Sequence, residues 1–382
     1  MRRALLLLLL LVPGTGRAQT PGLTAGPQLA RVYDAILDAR FDRVPALLTQ
    51  TCGPNLAPPE ACQLLDLVSL WWQIQLDPKN RVLDEPFQTR SDAAITAIEA
   101  WTRREPTRAE AWFYLGGAYG ARAQWRVLRE ERLAAARDGK RIKNSLEQAL
   151  ALDPSLRDAY FGIGLYHYYA DVAPPALRML RWLLLLPAGN RVQGLEEMLR
   201  ARKDGQLLQS EADFQLHLIY LWYEKQPQLA LQLLRDLRER HPANPLFPQL
   251  IANVQDVYVH DLQASRETWQ SLLEAARAGR VAEPEMSEAA ARLGLAGLLD
   301  RLSDSESALP HLRTIVETKP SAPLGIVASA QVQLGRTLDH LGRRDEALTA
   351  YRAALTSIPP GDPDRIASAA RAGLRAPHVR SK

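Results

Sequence analysis

Residues 331–359 read QVQLGRTLDHLGRRDEALTAYRAALTSIP. Leu334 and Gly335 fall in a first helix-periodic stretch, Gly342 marks a turn, and Ala347, Tyr351 and Ala354 line one face of a second. Pro359 ends that stretch, because proline has no amide donor and clashes with the turn before it. Two antiparallel helices need small residues where their backbones approach, and Gly335 and Ala347 stand at those places. Tyr351 is bulky enough to fill the gap to a neighbouring unit.

The same spacing recurs upstream. Leu295, Ala308, Leu312 and Pro320 repeat it, as do Phe214, Ala230, Leu234 and Pro242. Trp112, Leu115, Gly116 and Tyr119 (AWFYLGGAY) open a further unit that Ala149 and Pro154 close. That unit, 112–154, is longer by about four helical turns at 3.6 residues per turn, a length that preserves its apolar phase. Residues 246–280 read as a degenerate unit with Ala264 and Leu272 turned inward. The pattern L-G, A-x3-F/Y, P resembles the tetratricopeptide repeat, well over 107–360 and loosely over 27–106. The resemblance implies an all-α solenoid of antiparallel helix pairs.

The stretch 160–187, YFGIGLYHYYADVAPPALRMLRWLLLLP, starts another unit six residues after Pro154. Ile163 and Gly164 take the L-G positions, and Gly194 takes the small-residue place of a delayed second helix. Between them lies an inserted apolar helical segment, 171–188, of about three turns. Apolar on most sides, it is expected to be buried against the solenoid. The alternative is a membrane-surface segment with Trp182 at the interface and Arg178 and Arg181 near headgroups. Over 159–198 the chain is also similar to a tetratricopeptide family associated with the mitochondrial outer membrane and inclusion-body clearance.

The first residues, MRRALLLLLLLVPGTGRAQT, have the charged, apolar and small-residue parts of a signal peptide, with cleavage expected after Ala18. The remaining organisation reads as an N-terminal helical cap with divergent repeats (19–106), long units with the insertion (107–205), regular units (206–361), and a C-terminal capping helix with a frayed basic tail (362–382). Without 1–18 the chain has 44 basic and 43 acidic residues, net +1, a balance that does not call for a nucleic-acid partner. Over the full sequence the basic residues are 40 Arg against 7 Lys, and Ala is abundant, as in a chain encoded by a GC-rich bacterial genome. Cys52 and Cys62 bracket a short proline-rich loop and, in a periplasmic or secreted protein, read as a disulfide.

The sequence offers no catalytic constellation. It lacks HExxH, G-x-S-x-G, a phosphate-binding loop and a dinucleotide fingerprint, and its seven histidines never pair at helical spacing. His167, flanked by tyrosines, reads as a helix-contact histidine. No enzyme activity, cofactor or metal is expected. A tetratricopeptide array lines its concave face with the first helix of each unit. The expected groove holds Phe113, Phe161, Tyr168 and Tyr169, then Gln215, Trp222 and Tyr223, then Asn253. It turns charged at Asp300, Arg301, Arg336, Asp339 and His340. Such a groove suits a protein or extended peptide. The alternatives are an envelope polysaccharide, or a membrane-peripheral role using 171–188; a third is an enzyme whose catalytic residues match no known motif.

Overall fold

The computed structural model describes residues 22–53, 56–172, 188–362 and 365–380. The expected signal peptide, and all of the inserted segment except Asp171, Val172 and Ala188, lie outside those residues. Among the described residues there are seventeen helices and no strand. The first four are α1 (Gly26–Leu37), α2 (Val44–Thr51), α3 (Pro59–Leu76) and α4 (Asp84–Arg104). Six helix pairs follow: α5 (Ala109–Leu128) with α6 (Arg132–Leu152), α7 (Ala159–Val172) with α8 (Arg191–Asp204), and α9 (Gln209–Trp222) with α10 (Pro227–Arg240). Then come α11 (Leu246–Val257) with α12 (Leu262–Arg277), α13 (Pro284–Arg301) with α14 (Ser305–Thr318), and α15 (Ile326–His340) with α16 (Arg344–Thr356). Helix α17 (Ile366–Arg375) closes the stack. Each helix touches the next, the arrangement of a tetratricopeptide-like α-solenoid.

Local chemistry sets the boundaries. Proline occupies the first turn of α2, α3, α10 and α13, where its missing amide costs nothing. Asn190, Asp261 and Asp304 cap α8, α12 and α14 by accepting a backbone N–H with the side chain. The lengthened unit keeps its phase by extending both members: α5 has 20 residues and α6 has 21.

The small-residue positions behave as the pattern requires. Ala230, Ala308 and Ala347 are fully buried. A β-carbon on Gly335 would stand 2.5 Å from the ring of Tyr351, which also presses on Gly373 of α17 and so fills the gap to the cap. In α12 the inward small residue is Ser265, one position after the expected Ala264, and its hydroxyl donates to the Ala252 carbonyl at 2.9 Å.

The N-terminal region does more than cap the array. Helix α3 pairs with α4 and touches α5, as a first unit would, but it also reaches across the inner face. That face curves tightly, since Gln215 of α9 donates to Gln124 of α5 at 3.2 Å, two pairs away. Trp72 of α3 fills the curve, fully buried, with its ring 5.0 Å from Phe214 and 6.1 Å from Phe247. Truncating a buried ring of this kind costs about 3–5 kcal/mol. The Leu324 amide, just before α15, donates to Asp77 at the end of α3. Helix α1 crosses the starts of the first helices. Thr24 donates to Glu110 at 2.7 Å, Tyr33 to Glu211 at 2.9 Å, and the Asn244 side chain to the Leu37 carbonyl at 2.7 Å. Burial pushes the Glu211 carboxyl up, against the hydrogen bond from Tyr33. Cys52 and Cys62 are disulfide-bonded, tying the end of α2 to α3.

Candidate functional site

Filling the inner face changes what the expected groove residues do. Phe113, Phe161 and Tyr168 are buried. Phe113 sits edge-on to Tyr114 at 5.1 Å, and Phe161 packs with Ala201 and Ala212 between α8 and α9. Phe161 thus joins one unit to the next, as does Tyr168, which packs with Leu216 and Ile219 of α9. Tyr169 is half-buried. Trp222 and Tyr223 reach solvent, 58% and 41% exposed, and Asn253 is also exposed. Arg336 is half-buried, whereas the Asp339 carboxylate has no exposure at all.

The exposed residues share one feature of the topology: they close first helices. Trp222 is the last residue of α9 and Tyr223 its C-cap; Val257 and Tyr258 hold the same places on α11. Val257 is 53% exposed, Tyr258 is 41% exposed, and Leu302 after α13 continues the row. An ion pair between Arg301 and Asp256 holds the ends of α13 and α11 side by side. The edge built by the C-terminal ends of the first helices is therefore rich in exposed apolar side chains. Scattered exposed apolar residues are ordinary; here large ones recur at the same place of successive units.

The aromatic part is rigidly backed. The rings of Tyr168, Tyr169 and Tyr223 stand 5.6 to 5.9 Å apart, edge to face. Tyr168 donates to Glu224, and Arg191 of α8 grips the same carboxylate, holding it below its usual range. His167 bonds Glu197 of α8 at 2.7 Å, so it is a helix-contact histidine. The Asn190 amide donates to the His167 carbonyl at 3.0 Å. These contacts tie α7 to the start of α8 and, through Glu224, to the residues just after α9.

Toward the C-terminus the edge is charged and occupied. Asp339 accepts from Arg344 at 2.9 Å, from Tyr351 at 2.9 Å and from the His378 amide at 2.8 Å. Asp300, buried, accepts from Gln333 and pairs with His340. The expected frayed tail is thus seated, at residues 376–380. Sequence reasoning missed Val257, Tyr258 and this tail. For the first two a signal existed: VYVH places large apolar residues where a first helix stops, facing no partner helix.

A separate cleft of about 830 Å³ lies between α1–α2 and the loop entering α9, with Asp34, Asp38, Arg40, Ser210, Arg240 and His241 among its lining. Its charges are mixed, and Ser210 is engaged by both Arg240 and His241. Among the described residues no group of acidic, cysteine or histidine side chains could hold a metal ion, and no helix is long and apolar enough to cross a membrane.

No known family profile and no curated protein matches the chain. Solved structures are similar to it at the level of architecture. A Rap protein complexed with competence and sporulation factor is 16% identical, covering 91% of this chain and 80% of its own, with a TM-score of 0.44. The APC/C hetero-tetramer Cut9–Hcn1 is 14% identical over 91% of this chain and 55% of its own, with a TM-score of 0.48. Yeast Tom70 is 13% identical over 92% of this chain and 69% of its own, with a TM-score of 0.42.

Proposed function

We propose that this chain is an exported, non-catalytic scaffold that binds another protein through an extended segment laid along the C-terminal edge of its first helices. The observation that carries this reading is the exposure of Trp222 beside Tyr223, with Val257 and Tyr258 in the next unit. Large amphipathic aromatics on a rigid backing are the anchors that binding surfaces use. Of the expected groove residues, buried Tyr168 is the backing, Phe113 and Phe161 belong to the core, and Tyr169, Trp222, Tyr223 and Asn253 remain available to a partner. Export is supported by the leader-like first eighteen residues and by the Cys52–Cys62 disulfide, a bond that persists in oxidising compartments. A role in envelope assembly or secretion fits that location. The test is a photo-crosslinking residue at position 222 in cells. A discrete adduct that Tyr258→Ala weakens supports the reading, and none above background refutes it.

A second reading concerns the same place. The chain leaves α7 at Val172, which packs in one cluster with Leu216 and Ile219 of the Trp222 helix, and returns at Ala188. Residues 173–187, outside the described residues, could put Trp182 and the arginines on a membrane there, or the aromatics could stack on polysaccharide. Flotation of the mature protein with anionic liposomes, lost on Trp182→Ala with unchanged stability, would establish the membrane form; glycan binding lost on Trp222→Ala would establish the other.

A further inference from the structure

The chain's own tail shows how one end of this edge holds an extended segment. After α17 ends at Arg375, residues 376–380 run back over the ends of α15 and α13. The contacts are those a bound peptide would make. The His378 amide donates to Asp339 of α15, the His378 ring lies 5.2 Å from His340, and the Arg380 guanidinium reaches Ser305 at 2.5 Å and Asp300 at 3.6 Å. Backbone and side chain are both read, and the tail's own side chains stay largely outside: His378 and Val379 are exposed.

The seat is prepared independently of the tail. Asp300 is held in place by Ser305, Gln333 and His340, and Asp339 by Arg344 and Tyr351. Two carboxylates buried this deeply are costly unless cations and donors meet them. The tail meets them imperfectly. The Nε2 atom of His340, whose side chain is 7% exposed, is buried without a partner, and so is Nε of Arg380. A segment that displaces the tail and brings an acceptor to His340 Nε2 removes the penalty left in the seat, since an unmade buried hydrogen bond is a cost that a better partner relieves.

We propose that this seat, made by Asp300, Ser305, Asp339 and His340, is a binding site for an extended arginine-bearing segment of a partner protein, which the chain's own tail 376–380 occupies in cis. The inference rests on reading the chain as a scaffold for extended segments and names the chemistry of one of its sites. The ligand is basic because the buried groups are carboxylates, and it is extended because the tail's backbone amide is read. An intramolecular tail competes at a high effective concentration, so a partner segment binds weakly until it displaces the tail.

The test uses a fluorescent octapeptide of residues 375–382, Arg-Ala-Pro-His-Val-Arg-Ser-Lys, followed by anisotropy. The full chain carrying Arg380→Glu should bind it at least tenfold tighter than the native chain, because its own tail no longer competes. The same peptide with its second arginine replaced by glutamate should bind neither. Ser305→Ala in the Arg380→Glu background should weaken binding several-fold, and Asp300→Asn should abolish it where that variant folds. Equal affinity of the native and Arg380→Glu chains, or undiminished binding of the charge-reversed peptide, overturns the proposal. An adduct at position 222 without octapeptide binding removes this site alone; octapeptide binding without an adduct removes the aromatic anchors and leaves this site.

Discussion

Gly164 of α7 and Gly194 of α8 lie back to back: a β-carbon on either would stand 2.6 Å from the other's carbonyl oxygen. Their helices are separated in sequence by the whole insertion, yet they meet as closely as any adjacent pair. No alanine fits at either position without parting the two backbones. Gly194→Ala is therefore expected to destabilise by about 1–3 kcal/mol, the usual cost of overpacking. Urea unfolding measures it; a midpoint equal to the native one would show that the pair is looser than its geometry.

That contact was legible in the sequence because small residues at fixed offsets are what touching backbones demand, whatever lies between them. Gly335 against Tyr351 is the same case. The path of α3 was not legible. Its apolar residues show that it is buried, but Trp72 meeting Phe214 and Phe247 is a contact between units distant in sequence, set by the curvature of the stack. Curvature accumulates from small rotations at every interface, and no local pattern records the sum. The groove positions follow the same rule: Phe161 and Tyr168 lie on a first helix, as their spacing predicts, but packing between units buries them.

Truncations should separate these roles. Tyr168→Ala and Phe161→Ala should each cost about 3–5 kcal/mol of folding stability, as buried rings do. Trp222→Ala should leave stability within about 0.5 kcal/mol, since exposed positions rarely matter more, and should remove the adduct partner's binding. A folded, equally stable Tyr168→Ala protein would show that the tyrosine cluster is not the backing described above.

The disulfide gives a compact chemical check. Thiol titration of the denatured, unreduced protein should find no free thiol, because Cys52 and Cys62 are the only cysteines and are bonded to each other. Replacing both with serine should destabilise by about 2–3 kcal/mol, as expected for a short closed loop. Two free thiols in protein taken directly from cells would also argue against export.

Acid should weaken the fold through two histidines. Burial drives both His217 and His241 down to about 4. His217 lies against Phe214 with Nδ1 unpartnered, and His241 shares Ser210 with Arg240. In the unfolded chain each would take up a proton near 6.5. Between pH 6.5 and 4 the unfolded state thus binds protons that the folded state refuses, so the histidines' contribution is full above 6.5 and falls as the pH drops. The limit is about 3 kcal/mol for each histidine, at 1.36 kcal/mol per unit. Glu211 and Asp213 act in the opposite sense, because burial raises their carboxyls and the folded state holds protons more readily there. Their contribution is present at low pH and lost as the pH rises, so it offsets part of the histidine effect. Urea unfolding at pH 7.5, 6 and 5 should show the net decline, and His217→Gln should flatten it. A slope that survives replacement of both histidines would place the acid sensitivity elsewhere in the chain.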